Sequence, residues 1–192
     1  MLRIERFALL FVAASLFTTE AAAPEGWFMA GSKPAAYVTG IDSQDPYNGH
    51  ASAYLKSNQA TVDGFGTLMQ QFKADQYLGK RVRFSAFVKS EGLKDWAGLW
   101  MRVDKGSGQS TKTLAFDNMQ DRPIKGTTAW QNYEVVLDVP EDASGIFFGI
   151  LLSSTGSVWL NSANFEVVPT SIPTTGKIQA LPDTPKNLDF QK

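Results

Sequence analysis

Residues 145–168 read GIFFGILLSSTGSVWLNSANFEVV, and this stretch decides the fold class. Large apolar residues recur at alternate positions of Gly145–Ser153, which predicts a β-strand with one face turned toward a core. The expected core-facing residues are Ile146, Phe148, Ile150 and Leu152, with Phe147, Gly149 and Leu151 on the opposite face. The small residues at 153–156 predict a turn, and Ser157–Val168 predicts a second strand.

The same succession of short apolar runs and turns extends along residues 27–168. The other predicted strands are Trp27–Gly31, Ala36–Asp42, Ser52–Ser57, Phe65–Lys73, Lys80–Lys89, Ala97–Asp104, Thr111–Asp117 and Asn132–Val139. Gly, Asp, Asn, Ser or Pro lies in the gaps between the runs, and no stretch sustains a helical period. Strands at this spacing predict a β-sandwich or a barrel.

The composition excludes several classes of function. The chain has 192 residues, with 18 Lys and Arg against 19 Asp and Glu, and a formal net charge of −1. Duplex-binding domains usually carry a basic excess, so nucleic acid is not the expected main partner. The absence of cysteine removes disulfides and thiol nucleophiles, and a single histidine, His50, leaves no cluster for zinc and little room for a Ser-His-Asp triad.

The two ends of the chain differ in character from its middle. Residues 1–23 carry two arginines, then an uncharged run of 11 residues over Phe7–Phe17, then small residues. This order predicts a secretory signal peptide, because a membrane-spanning helix needs about 20 apolar residues; an uncleaved anchor is the alternative. Residues 24–168 form the predicted domain, and 169–192, with four prolines, form a predicted disordered tail rich in Pro and Thr. The expected location is the periplasm or the outside of the cell, with no membrane contact after cleavage.

Aromatic residues recur on the expected outward faces, where a solvent-facing sheet ordinarily carries polar side chains. Flat aromatic rings stack on the C–H faces of sugars, while Arg and Gln bind hydroxyl groups. The predicted ligand-binding residues are Trp100, Trp96 and Phe87 for stacking, and Arg83, Arg102 and Gln71 for hydrogen bonds. This combination favours a neutral, hydroxyl-rich ligand, and Phe147 points outward with it.

Other interpretations of this aromatic face stay open. A loop or an N-terminal strand would cover it and make it a second small core, or a partner protein would cover it as an interface. The assignment of strands to sheets is itself inferred, so the six residues need not converge. A hydrolase would require a pair of carboxylates, and nothing singles out a pair among the candidates Glu91, Asp95, Asp104, Glu134 and Asp138.

Two loops carry polar groups that suit an ion or a ligand. The candidate calcium ligands are Asp42 and Asp45, with Asn161 and Glu166 of the last strand, although the sequence has no EF-hand loop. Residues 117–123, DNMQDRP, predict an Asx-type turn closed by proline, and the same loop is a candidate for ligand contacts.

Several motifs resemble a known fold family. The segments WQNY (130–133), VPEDA (139–143), FGILL (148–152) and GSVWL (156–160) resemble the second half of galactose-binding-like jelly rolls, which include carbohydrate-binding modules of secreted glycosidases. Residues 63–121, with GFGTLMQ (64–70) and WAGLWMR (96–102), resemble a narrower bacterial group. Members of that group occur alone or fused to helix-turn-helix regulators, and their function is generally unassigned.

The resemblance covers residues 26–168 and implies the fold more strongly than the ligand, since jelly rolls host many functions. In the wider family the last strand often begins with an Asp-Asp pair, one of which can ligate a structural calcium ion. Here the pair is Asn161-Ser162, which departs from that pattern. This sequence shows no helix-turn-helix segment, so the DNA-binding role of the fused regulators does not carry over.

We therefore predict an all-β jelly-roll β-sandwich of two antiparallel sheets. The predicted function is exported, non-catalytic binding of a carbohydrate or similar polyol on the aromatic sheet face. If Trp100 is exposed, Trp100→Ala should weaken binding without unfolding the domain. The alternatives are a protein–protein interaction module of the cell envelope and a glycan or ester hydrolase. No cofactor is expected apart from the candidate calcium ion, and the oligomeric state is left open.

Overall fold

The computed structural model describes residues 22–176 and residue 188, and its ordered elements are nearly all strands. Within these residues the strands are β1 (Phe28–Gly31), β2 (Tyr37–Tyr47), β3 (His50–Ser57), β4 (Phe65–Lys73), β5 (Arg81–Lys105), β6 (Lys112–Asp117), β7 (Ile124–Asp138), β8 (Gly145–Ser153) and β9 (Ser157–Val168). Two short 3₁₀ turns, Pro34–Ala36 and Gly108–Ser110, lie between them. The predicted bounds of β4, β8 and β9 are confirmed to the residue.

The strands pair antiparallel in one curled sheet, and we call its two halves the front half and the back half. The front half has the order β1-β4-β8-β5-β6 and the back half the order β2-β3-β9-β5-β7. Strand β5 belongs to both, because residues 97–104 pair with β8 whereas residues 81–91 pair with β9. The predicted all-β jelly-roll sandwich is confirmed.

Strand β5 is the largest departure from the predicted elements. The sequence indicates two strands, Lys80–Lys89 and Ala97–Asp104, but the chain stays extended over 25 residues. The register against β7 shifts three times between Val88 and Ala97, and Gly92 in this interval has φ 60°. Bulges and a left-handed glycine bend a strand without ending it. The two ends of β5 therefore lie in opposite halves of the sandwich.

The core lies between the halves and consists of the residues that alternation predicts. All four core-facing residues expected on β8 are buried, as are Val82, Phe84, Ala86 and Val88 on β5. The rings of Phe84 and Phe148 meet edge to face with centroids 4.7 Å apart, which joins the back half to the front half. Burial of one such large apolar side chain contributes about 1.5–3 kcal/mol.

The predicted tail is held against the back half over its first residues. Arg81 donates from Nη1 to the carbonyl oxygens of Thr170 and Ile172, at 2.7 and 2.5 Å. The Thr175 N–H donates to the carbonyl of Val136 at 2.9 Å, so the tail pairs with polar backbone that edge strand β7 would otherwise leave open. These contacts involve the first residues of the segment predicted as a tail from Pro169 onward.

The ends of the chain lie largely outside the described residues. All but the last two residues of the predicted signal peptide fall there, as does the tail from residue 177 onward apart from residue 188. In the described part, no helix has the length and the apolar character needed to cross a membrane.

Candidate functional site

The outward face of the front half carries a cleft of about 470 Å³. Its lining comes from strands β1, β4, β5, β6 and β8 and from the turn after β6. The lining residues are Ala30, Gly31, Phe65, Thr67, Met69, Gln71, Trp100, Arg102, Phe116, Asn118, Phe147 and Leu151. A cleft of this size and apolar character lies in the range of small-molecule sites.

Trp100 forms part of the cleft floor. It lies opposite Gly149 of β8, which in turn lies opposite Met69 of β4. The Trp100 indole N–H donates to Thr67 Oγ1 at 2.7 Å, so the side chain reaches across β8 to β4, above a position that has no side chain of its own. Only 8% of Trp100 is exposed. The ring therefore forms the floor of the cleft, and its indole N–H is bonded to Thr67 instead of facing a ligand.

One row of the cleft alternates polar and aromatic side chains across four strands. In register order these are Gln71, Phe147, Arg102 and Phe116. The Arg102 guanidinium lies 4.8 Å from the centroid of Phe147, and its Nε donates to Asp104 Oδ2 at 2.8 Å. Because the guanidinium covers Phe147, the ring most open to a ligand is Phe116, which is 45% exposed.

The turn after β6 brings Asn118 to the cleft. Asp117 is buried, accepts the Met119 N–H at 2.8 Å and forms an ion pair with Arg122 at 2.5 Å. The Asn118 Oδ1 accepts the Gln120 N–H at 3.2 Å. The predicted Asx-type turn is thus present, and it also contributes a residue to the cleft lining.

The six predicted ligand-binding residues do not share one face. Trp100, Arg102 and Gln71 line the cleft. Trp96 is half-buried beside Gly98 and is absent from the lining.

Phe87 and Arg83 lie on the outward face of the back half, because they precede the bend of β5. Arg83 binds Glu166 there at 2.7 Å and Glu134 at 3.3 Å. The path of this strand therefore separates the six residues, whose convergence the sequence left open.

A second group of aromatic side chains, which we call the back cluster, lies on the outward face of the back half and includes Phe87. Its members are Tyr47, Tyr54, Phe87, Trp130 and Trp159, with Lys56 and Lys89 over the rings. Tyr47, near the turn between β2 and β3, lies 4.7 Å from Phe87 and 4.9 Å from Trp130. The rings on this face pack on one another, and Trp159 is buried whereas the other four rings are half-buried.

Asp42 anchors the back cluster. Its Oδ2 accepts the Trp159 indole N–H at 2.8 Å, and its Oδ1 accepts the Gln44 N–H at 3.0 Å. The hydrogen bond from Trp159, then that from Gln44 and the charges of Lys56 and Lys89, hold the pKa of Asp42 below its ordinary value.

The candidate calcium ligands are engaged elsewhere. Asp42 uses both oxygens as above, Glu166 pairs with Arg83, and the Asn161 amide donates to the carbonyls of His50 and Ala51 at 3.1 Å. No group of three His, Cys, Asp or Glu side chains gathers as a metal site in the described part of the chain. The side chain of Asp45 lies outside that part, and the calcium site stays a prediction.

The candidate carboxylates do not line the cleft. Asp138 pairs with Arg81 at 2.7 Å, Glu134 with Arg83, and Asp95 accepts a hydrogen bond from Ser153. Asp104 is 1% exposed and lies against Arg102. No aspartate or glutamate occurs among the described residues that line the cleft.

Sequence reasoning missed part of the cleft. Alternation along β8 placed Phe147 and Leu151 outward, but no sequence pattern indicated which residues of other strands lie beside them. For Phe116 and Thr67, the sequence indicated only that they lie in strands. The strand order brings these residues into one cleft, and that order depends on pairing between distant segments.

No family model matches the chain. The chain is similar to a protein of Bacillus subtilis (strain 168) named as an uncharacterized HTH-type transcriptional regulator, YbfP, with 47% identity over 171 residues. The match covers 88% of this chain and 57% of the regulator, so the chain spans little more than half the length of this curated relative.

Solved structures share the fold at low identity. The CBM22-1 xylan-binding domain from Paenibacillus barcinonensis has a TM-score of 0.53 and 16% identity, over 78% of this chain and 90% of that domain. A family 30 carbohydrate-binding module has a TM-score of 0.51 and 13% identity, over 73% of this chain and 92% of the module. The resemblance to carbohydrate-binding-module jelly rolls is confirmed at the level of fold.

Proposed function

We propose that the chain is a non-catalytic binding domain whose ligand, a carbohydrate or similar polyol, lies in the cleft of the front half. The observation that carries this proposal is the row Gln71, Phe147, Arg102 and Phe116, which alternates polar and aromatic groups beside an apolar floor. Sugars present the same combination of C–H faces and hydroxyl groups. The carbohydrate-binding modules with this fold support the proposal.

Each group of the cleft has a distinct role in this proposal. Phe116 stacks on the face of a sugar ring, because it is the ring that Arg102 leaves open. Gln71, Arg102 and Asn118 bind hydroxyl groups. Trp100 and Met69 are nearly buried and contribute dispersion as the floor.

The lack of carboxylates in the described lining supports a non-catalytic role over a glycan hydrolase. Glycoside hydrolysis ordinarily uses two carboxylic acids that flank the scissile bond. Here the two carboxylates next to lining residues are both buried and paired: Asp104 with Arg102, and Asp117 with Arg122.

The first test is a thermal-shift titration of the full chain with a panel of glycans. A ligand that binds the native state raises the unfolding midpoint in a concentration-dependent way. We expect Phe116→Ala to weaken binding of a hit about tenfold, equivalent to about 1.4 kcal/mol. Phe28→Ala is the matched control, because Phe28 is a 38% exposed ring of the front half outside the cleft lining. Equal affinities of the parent and of Phe116→Ala would overturn the placement of the ligand.

The name of the Bacillus subtilis relative favours a second candidate function, ligand sensing within a regulatory protein. Both candidates use the same cleft and differ in the location of the protein. We propose export, which rests on the pattern of residues 1–23 alone. N-terminal sequencing of the protein from fractionated cells tests it. A cleaved chain outside the cytoplasm supports export, and an uncleaved chain in the cytoplasm favours sensing.

A further inference from the structure

A smaller hollow continues the cleft at one end. It has a volume of about 280 Å³ and is lined by Gln71, Phe72, Lys73, Ser144 and Phe147. Gln71 and Phe147 also line the cleft, so the two form one groove.

The charged side chains that line this groove are both cationic. Arg102 lies on one side of Phe147, in β5, and Lys73 on the other, in β4. No carboxylate occurs among the described residues that line the cleft or the hollow. At the opposite end, beyond Phe116 and Asn118, a separate pocket is lined by Asp117 and Asp121, which both pair with Arg122. The chain as a whole has a net charge of −1, so the positive character is local to this end of the groove.

Asp104 orients the Arg102 guanidinium from beneath the groove surface and offsets part of its charge, whereas Lys73 has no such carboxylate among the lining residues. Its Oδ2 accepts from Arg102 Nε, and the residue is 1% exposed. Because this bond uses Nε, the two terminal nitrogens of the Arg102 guanidinium remain as donors to a ligand. Such a fixed guanidinium edge matches a planar carboxylate with two parallel hydrogen bonds.

The space for an anionic group is the hollow itself, which Lys73 and Ser144 line. The ring of Phe147 covers Gly145 of β8, since its edge lies 3.2 Å from the place that a Cβ would take there. An anionic group therefore lies over the edge of Phe147, with Arg102 on one side of that ring and Lys73 on the other.

We propose that the groove takes a glycan whose sugars carry carboxylate groups, with a carboxylate bound between Arg102 and Lys73 and the rest of the sugar chain over Phe116 and Trp100. This inference rests on the proposed function and names its ligand class. It replaces the neutral ligand expected from the sequence, because the charged side chains among the described lining residues are both cationic.

The test compares polygalacturonate oligomers with their fully methyl-esterified forms, which have the same sugar backbone without the charge. Isothermal titration of the full chain measures both at two salt concentrations. We expect the acid form to bind at least about tenfold more tightly, and this preference to shrink as salt screens the charges. Alginate and hyaluronan serve as further acidic probes beside neutral galactan and xylan.

Lys73→Ala is the informative variant, because Lys73 is exposed and its loss leaves no buried charge. It should reduce the preference for the acid form and leave binding of the ester unchanged. Lys125→Ala, which removes an exposed lysine of β7 outside both linings, should change neither. Arg102→Ala is avoided, because it would leave the Asp104 carboxylate buried and unpaired.

The outcomes separate the two proposals. Binding of neutral glycans, with no gain from any acidic probe, overturns this inference and leaves the proposed function standing. A preference for the acid form that is unchanged in Lys73→Ala also overturns it. Absence of binding to both classes of glycan overturns the inference and the proposed function together.

Discussion

Trp100 lies on the outward face of its strand, and its indole hydrogen bond runs along that face to another protein side chain. The indole N–H donates to Thr67 Oγ1, and Thr67 Oγ1 donates to the carbonyl of Ile150 at 2.8 Å. These two bonds join β5, β4 and β8. At 8% exposure the residue works as a brace between strands and as the floor of the cleft.

We expect Trp100→Ala to lower the free energy of unfolding by about 3–5 kcal/mol, as removal of large buried aromatic side chains does. Trp100→Phe should cost less, because it keeps a ring in the same place and Thr67 keeps its bond to Ile150. Urea denaturation of the full chain measures both. An unchanged free energy of unfolding in Trp100→Ala would contradict the brace role. The sequence-based expectation of weaker binding without unfolding depended on an exposed Trp100.

Asp42 makes stability depend on pH through the back cluster. Its pKa in the folded chain lies below the ordinary value of 3.8, first because of the Trp159 hydrogen bond. The ionised form is therefore favoured by folding. Its contribution is fully present above about pH 4 and is lost as the pH falls from there through the folded-state pKa.

We expect Asp42→Asn to flatten the acid limb of the stability profile. The asparagine keeps an acceptor for Trp159 and has no charge to protonate. Thermal midpoints of the parent chain and of Asp42→Asn, measured from pH 7 to pH 2, should differ most above pH 4 and converge below it. Parallel profiles down to pH 2 would show that Asp42 makes no such contribution.

At the scale of elements, the bend of β5 decides which polar residues meet the ligand. Arg83 and Arg102 belong to the same strand, and the register shifts between Val88 and Ala97 separate them into opposite halves. Gln71, on β4, lies with Arg102 on the front half.

This separation predicts different effects of two single replacements. Gln71→Ala should weaken glycan binding about 2- to 10-fold, as the loss of one hydrogen bond does. Arg83→Ala should leave the affinity unchanged, because its partners Glu134 and Glu166 lie on the back half. Titration of both variants with the same glycan measures this. A loss confined to Arg83→Ala would move the site to the back half.

At the scale of the whole molecule, the two outward faces differ in how far their aromatic rings are covered. On the back half, Tyr47 covers Phe87 and Trp130, and lysine side chains lie over the remaining rings. On the front half, the described residues leave the cleft open, and Phe116 stays 45% exposed. The aromatic residues predicted as one surface are therefore a packed cluster on one side and an open cleft on the other.

The sequence by itself determined the approximate position of most strands and the faces on which their residues lie. The bounds of β4, β8 and β9, and the alternation of buried and outward residues along β8, are local properties of the chain. A period of two needs only neighbouring residues to be recognised, so Phe147 could be placed outward without knowledge of any partner strand.

The tertiary structure alone decided which outward residues meet. Gln71, Phe147, Arg102 and Phe116 come from four strands that are distant in the sequence, and only the strand order and register place them in one row. The same holds for β5, since Gly92 and the register shifts bend it where the sequence suggested a break. Which residues become neighbours across a sheet depends on the pairing of strands that are remote in the sequence. No local pattern in a single sequence encodes that pairing.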